Sequence, residues 1–268
     1  MYRFFCTFAA LAALAILFDG CAVNPITGRE QVMMVSDEEA ARQSGQAYSS
    51  LLGQAEQSNA LDTNPQTVNR VRAITERLIQ QAVAMRPETR GWAWDVHVIN
   101  SAEVNAWCMA GGKMAVYAGL LQKIKPTDDE LAQVMGHEIS HALLSHQAEK
   151  LSRAKMQSMG VGLGVLAGAA MGVDARGIAG LADNLATVGL QLPNSRQNEM
   201  EADQVGIELA AKAGYNPRAA VSLWEKMLDV GGGRPPEWLS THPNPETRLQ
   251  TLAQLAERLM PVYQAARR

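Results

Sequence analysis

His137-Glu138-Ile139-Ser140-His141 holds the residue types of metal-assisted hydrolysis at the spacing that chemistry needs. Residues four apart on a helix lie on one face, a turn apart. His137 and His141 can therefore turn their imidazoles toward one metal ion. Glu138 adjoins the first histidine and can reach a water on that ion without binding the ion itself, which is the position of a general base. Two histidines and a neighbouring carboxylate are what zinc-assisted peptide hydrolysis requires.

The flanking residues put the motif on a buried helix. Thr127-Asp128-Asp129-Glu130 reads as a capping box that opens it. Leu131, Met135, Ile139 and Ala142 form an apolar stripe; Val134, His137, Glu138, His141 and Ser145 lie opposite. From Leu131 to Leu144 the only ionisable side chains are those of the motif. Burying two histidines and a glutamate without partners is costly, and a metal supplies the partner.

A catalytic zinc takes three protein ligands and keeps one position open for water. A third histidine six residues after His141 is one solution, but Gln147 stands there. His146 is five residues past His141 and is expected to face away from it, as a surface residue near the helix end. The other solution is a glutamate on a later helix, and Asn198-Glu199-Met200-Glu201-Ala202-Asp203 offers two. Glu199, Ala202, Gly206 and Leu209 share one helical face, small and apolar apart from the carboxylate, so another helix can approach it closely. Glu201, Gln204 and Glu208 share a polar face that reads as solvated. The spacing therefore selects Glu199 as ligand and leaves Glu201 as a surface charge. Asp203, four residues after Glu199, is placed to accept a hydrogen bond from a liganding histidine and fix its tautomer.

With these residues in hand, the chain resembles the CAAX prenyl protease and HtpX-type zinc metallopeptidase family. It is most similar to the bacterial periplasmic lipoprotein branch of that family, with the related mitochondrial inner-membrane protease beside it. Cys21-Ala22-Val23-Asn24-Pro25-Ile26-Thr27-Gly28-Arg29 is similar to the mature start of that branch, and Asn105-Ala106-Trp107-Cys108-Met109-Ala110-Gly111-Gly112 to its strand ahead of the metal helix. Ser240-Thr241-His242-Pro243, with Arg248 after it, is similar to its late loop. Ala110 departs from the pattern, since the family usually has proline there. The resemblance spans residues 21 to 250. It implies an α+β, mostly helical gluzincin-like fold with a small sheet beside the HExxH helix, one zinc per chain, and quality control of envelope proteins. Residues 105–110 read as an edge strand on which an extended substrate lies, with Asn105, Ala106, Trp107 and Cys108 as its contacts. His242 follows Gly231-Gly232-Gly233 in a late loop. It can occupy the open metal position as a fourth ligand and gate, stabilise the oxyanion, or cap the helix that follows near Pro245.

Composition bounds the rest. A chain of 268 residues, 47% hydrophobic, fits one large domain or two small ones. A net charge of −3, with no basic patch interleaved with aromatics, gives no sign of nucleic-acid binding. Arg3 precedes an apolar run from Phe4 to Phe18, too short for a comfortable membrane span but suited to a signal peptide. Gly20-Cys21 reads as a cleavage and lipidation point, with an uncleaved N-terminal anchor as the rival. Ala22 after the cysteine favours the outer over the inner membrane. Of three cysteines, Cys6 leaves with the signal and Cys21 takes lipid, so Cys108 remains without a disulfide partner, as a small buried strand residue.

The expected organisation is a signal peptide at 1–20, an extended tether at 21–35 and a metallopeptidase domain at 36–268. Helices are expected from Ser36 to Ala55, from the end of an Asn59–Pro65 linker to Met85, and at 196–213, 217–230 and 244–258, with strands at 94–100, 105–110 and 113–117. Met159 to Val173 is apolar, with Gly160, Gly164 and Gly168 at helical spacing, and reads as tight packing or as contact with a membrane or partner. The function this describes is a zinc endopeptidase that meets unfolded or misassembled polypeptides and is held to the membrane by lipid. The alternative is a chaperone-like lipoprotein that binds outer-membrane clients with weak or gated proteolysis. Oligomeric state is left open.

Overall fold

The computed structural model describes residues 21–170, 195–230, 237–242 and 248–267. Two short strands, β1 (Cys21–Val23) and β2 (Glu30–Val32), pair antiparallel. Two long helices follow, α1 (Asp37–Gln57) and α2 (Pro65–Met85), then a 3-10 turn at Pro87–Gly91. A sheet is built from β3 (Asp95–Ile99), β4 (Ala106–Met109) and β5 (Lys113–Tyr117) in the order β3-β5-β4. β3 runs parallel to β5 and β4 antiparallel to it, which leaves β4 at an edge. Next come α3 (Ala118–Lys123), α4 (Asp128–Leu143) and α5 (His146–Ala170). Then follow α6 (Arg196–Lys212), α7 (Ala219–Val230), α8 (Glu237–Thr241) and α9 (Arg248–Ala266). The architecture is α+β, mostly helical, with the small sheet against the motif helix α4.

Local signals account for the element ends. The Thr127 hydroxyl accepts from Glu130 N while the Glu130 carboxylate accepts from Thr127 N, a complete capping box for α4. Asn64 caps α2, with Pro65 at its first position. Gly214, at φ +79°, ends α6. The β4–β5 turn uses Gly111 and Gly112, both at positive φ, and a Cβ on Gly112 would strike the Trp94 ring.

The core forms around α4, which is buried on all sides from Glu130 to Leu143. It contacts α6 most extensively, and also α2, α7 and β4. Gly136 and Gly206 are the point of closest approach: a Cβ on Gly206 would lie 2.8 Å from the backbone of His137. The small face expected on the later helix thus meets the motif helix directly, backbone against backbone.

Some expectations differ from the fold. Residues 21–35 are not an extended tether. Their hairpin docks on the junction of α4 and α5, where Asn24 and Gln31 side chains donate to the Leu144 carbonyl and Val35 N donates to Ser152. Those amides and Arg86, which donates to the Leu143 carbonyl, satisfy the acceptors that a helix end leaves open. α7 begins at Ala219 rather than at 217. α9 runs past 258 to Ala266 with Pro261 inside it, because Leu259 packs on the core beyond the expected end. The glycine-rich stretch is the end of α5 as far as Ala170, and 171–173 lie outside the described residues, as does the signal segment 1–20. No helix among the described residues is long and apolar enough to cross a membrane.

Candidate metal centre

α4 presents His137 and His141 on one face, and the glycine contact brings α6 close enough for Glu199 to join them. His137 Nε2 and His141 Nε2 are 3.1 Å apart. Glu199 reaches both, with Oε2 3.3 Å from His137 Nε2 and Oε1 3.4 Å from His141 Nε2. His242, just past the end of α8, completes the group: its Nδ1 is 3.0 Å from Glu199 Oε1 and 3.1 Å from His137 Nε2. All four residues are buried, and their ligand atoms lie within 4.8 Å of one another.

These spacings fit a metal. Four donors at the ~2.0–2.1 Å bond lengths of a tetrahedral zinc site stand roughly 3.3–3.4 Å from each other. The donor set of imidazoles and one carboxylate is also what such an ion takes. Glu201 lies on another face of α6 and is not part of the group, so Glu199 is the carboxylate that meets the histidines.

The electrostatics are those of a cation site. Burial opposes charge on His137, but the carboxylates of Asp203 and Glu199 outweigh it and push the imidazole up to about 9. On His141 burial prevails over the pull of Glu199 and drives the imidazole well below its usual value. Burial would raise Glu199, yet His242, His137 and His141 hold it well below the usual carboxylate range. Lys150, a cation no motif indicated, is lowered to about 8 by burial against the pull of Glu199 and Glu138.

Partners surround the four donors. Asp203 Oδ1 lies 3.0 Å from His137 Nδ1, although the imidazole N–H is not aimed squarely at it, so the contact is chiefly one of charge. Arg248, buried over the Trp224 ring, donates to Asp203 at 2.5 Å and to Glu199 at 3.3 Å. Glu138 points to α8: Trp238 Nε1 donates to its Oε1 at 2.6 Å, and His242 Nε2 is 3.5 Å away. The Trp238 ring stacks on His242, with centroids 4.8 Å apart. Trp238 carried no signal in the sequence, because α8 is a single short turn joined to the core through its neighbours.

His146 and Glu201 are corrections. His146 is 1% exposed, not a surface residue, and its Nδ1 is 2.8 Å from His141 Nδ1. α4 ends at Leu143, and the chain turns through Ser145 at φ +56° before α5 starts. The periodicity of one helix therefore does not extend to His146. Glu201 is not on a solvated face: it meets His146 Nε2 at 3.1 Å and Arg29 Nε at 2.6 Å. Burial lowers His146 against the opposing pull of Glu201.

Along β4 the pleat divides the expected substrate contacts. Ala106 and Cys108 turn into the core, and burial together with the charge of Glu138 raises the Cys108 thiol well above its usual value. Trp107 lies on the other face, edge-on to Tyr48. The Asn105 side chain accepts from Ala106 N, at the start of the strand. Cys21 is exposed at the head of β1.

A small mixed sheet, a buried HExxH helix and a glutamate from a helix packed against it are the marks of a metallopeptidase-type centre. The chain belongs to peptidase family M48, whose profile matches residues 65–256. It is 37% identical over 174 residues to the mitochondrial metalloendopeptidase OMA1 of Arabidopsis thaliana, covering 65% of this chain and 34% of that protein. OMA1 of Saccharomyces cerevisiae is 28% identical over 271 residues, 94% of this chain and 76% of the relative. The beta-barrel assembly-enhancing protease of Escherichia coli K12 is 30% identical over 207 residues, 75% of this chain and 41% of the relative. This chain spans well under half of the plant and bacterial relatives' length. Mitochondrial and bacterial members are both similar to it, so the similarity establishes the family and not a branch within it.

Proposed function

We propose that this chain is a zinc-dependent endopeptidase of the bacterial cell envelope, held to the membrane by lipid on Cys21, that degrades misfolded or misassembled proteins. The observation that carries the enzymatic part is the buried group His137, His141 and Glu199 with Glu138 beside it. Zinc held by those three supplies Lewis acidity, which acidifies water and polarises a carbonyl. Glu138 takes the proton from the attacking water and passes it to the leaving amine. Asp203, 3.0 Å from His137 Nδ1, sets a negative charge behind that ligand, and Arg248 keeps Asp203 and Glu199 in place.

β4 is an edge strand, so an extended polypeptide can add to it as a further strand. Ala106 and Cys108 contribute main chain to that contact, since their side chains face the core. Recognition through backbone suits unfolded chains. The envelope address rests on the apolar N-terminal run ending in Gly20-Cys21, and on the similarity to a bacterial protease named for beta-barrel assembly.

Two contacts favour gated proteolysis, as in the client-binding reading. His242 stands in the fourth donor position and Trp238 occupies Glu138, so a water would have to displace both to be activated. This supports the gate over the oxyanion and capping roles for His242. The test is hydrolysis of an unfolded protein by zinc-loaded wild type and His242→Ala. We expect the variant to retain zinc and to cleave several-fold faster. A lower kcat with zinc retained would point to the oxyanion role and sink the gate, as would an unchanged rate. No cleavage by either protein would sink the endopeptidase reading itself.

A further inference from the structure

A line of side chains runs from His141 to the N-terminal hairpin. His141 Nδ1 faces His146 Nδ1 at 2.8 Å, and His146 Nε2 faces Glu201 Oε2 at 3.1 Å. Glu201 Oε1 is 2.6 Å from Arg29 Nε, a charge contact whose N–H is not directed squarely at the oxygen. Arg29 also grips Glu149 with both terminal nitrogens, at 2.9 and 2.7 Å. Glu149 in turn accepts from Gln31 and Arg153, so the arginine is set in a fixed frame. His146 and Glu149 are 1% exposed, and the side chains of Arg29 and Glu201 are 13% and 14% exposed.

The chemistry of each group gives the line one direction. A guanidinium only donates and a carboxylate only accepts. Glu201, paired with Arg29, therefore takes a proton-bearing Nε2 from His146. A neutral His146 is left with a bare Nδ1, which can only accept. His141 must then donate from Nδ1, and its Nε2 lone pair is left facing His137, Glu199 and His242. The order of protons starts from Glu201 as an ionised acceptor, and the adjacent guanidinium of Arg29 favours that ionised form.

We propose that Arg29 is a positioning residue for the metal centre, acting through Glu201 and His146 to fix the tautomer and ring orientation of His141. This rests on the reading that His137, His141 and Glu199 bind zinc. The N-terminal hairpin is then part of the metal site, although none of its residues touches the donor atoms. Loss of an outer partner of a liganding histidine typically costs on the order of 10–100-fold in metal affinity.

The experiment uses the full chain in detergent and two readouts besides activity: zinc affinity by chelator competition, and the visible spectrum of the cobalt-loaded protein. Glu201→Gln keeps the shape of the side chain but can donate as well as accept, so the order of protons is no longer imposed. We expect Glu201→Gln and Arg29→Gln each to weaken zinc binding by on the order of 10–100-fold and to shift the cobalt bands. The double variant should be no weaker than the worse single one, and Arg29→Lys should restore part of the affinity. Ser152→Ala, which removes a hairpin contact away from this line, should lower thermal stability and leave zinc affinity unchanged. If Arg29→Gln does not fold, Glu201→Gln decides alone. A folded Glu201→Gln protein with wild-type zinc affinity and cobalt spectrum would overturn the inference, as would strictly additive losses. Wild-type protein that binds no zinc would instead remove the metal reading beneath it.

Discussion

At the scale of single residues, the two glutamates of one helical turn have different duties. Glu199 is fully buried among the imidazoles, while Glu201 reaches the site only through His146. Glu199→Ala is expected to leave the protein without stoichiometric zinc after dialysis, whereas Glu201→Ala should keep one zinc with weaker affinity. Elemental analysis of both variants checks this, and a metal-free Glu201→Ala beside a replete Glu199→Ala would reverse the assignment. The placement of Glu199 was legible in the sequence, because Ala202, Gly206 and Leu209 share its face and four residues of one face report on what that face can meet. His146 was not legible. Its reading depended on where α4 stops, and the carbonyls at that stop are satisfied by Asn24, Gln31 and Arg86, which lie far away in the chain. Trp238 was hidden for the same reason, since its partner Glu138 belongs to another element, while Arg248 was marked in the late loop but not its contacts to Asp203 and Glu199.

At the scale of elements, the site exists because α4 and α6 touch backbone to backbone. Gly206→Ala would put a Cβ 2.8 Å from His137 Cα and N and 2.9 Å from Gly136 C, atoms that cannot turn aside. Overpacking of this kind costs about 1–3 kcal/mol or more, and here it also spreads the donors. We expect lower stability and weaker zinc binding together. Gly45→Ala, inside α1 with nothing within 4 Å of the new Cβ, should stabilise by up to ~1 kcal/mol and leave zinc affinity unchanged. Denaturant unfolding and chelator competition on the two variants measure both effects; a Gly206→Ala protein as stable and as zinc-tight as wild type would show the contact to be soft. Helices with caps and long apolar periods were legible at this scale. α3, α8 and the β1–β2 pair were not, since elements of three to six residues are held by tertiary contacts rather than by their own pattern.

At the scale of the whole molecule, the proposed lipid anchor and the hairpin that holds the end of α4 belong to one N-terminal segment. Cys21 heads β1, and its strand pairs with the one that carries Gln31. A lipid on Cys21 would therefore stand close to the hairpin that holds the end of α4. Cys21→Ser is expected to abolish acylation and release the protein from membranes, with mass spectrometry of the mature N-terminus as the readout. A protein that still begins at Met1 and carries no acyl mass would favour an uncleaved anchor. The hairpin reads as a tether in the sequence, because its polar residues have no periodicity and their partners, Leu144, Glu149 and Glu201, lie more than a hundred residues away.

Glu138 is the residue proposed to move protons at a zinc ion it does not bind. The direct measurement is the zinc content and the rate of hydrolysis of an unfolded protein, taken on the same preparation of Glu138→Gln. One zinc per chain is expected, as in wild type, with hydrolysis lower by on the order of 10²–10⁴-fold. Zinc-replete Glu138→Gln that cleaves at the wild-type rate would contradict it.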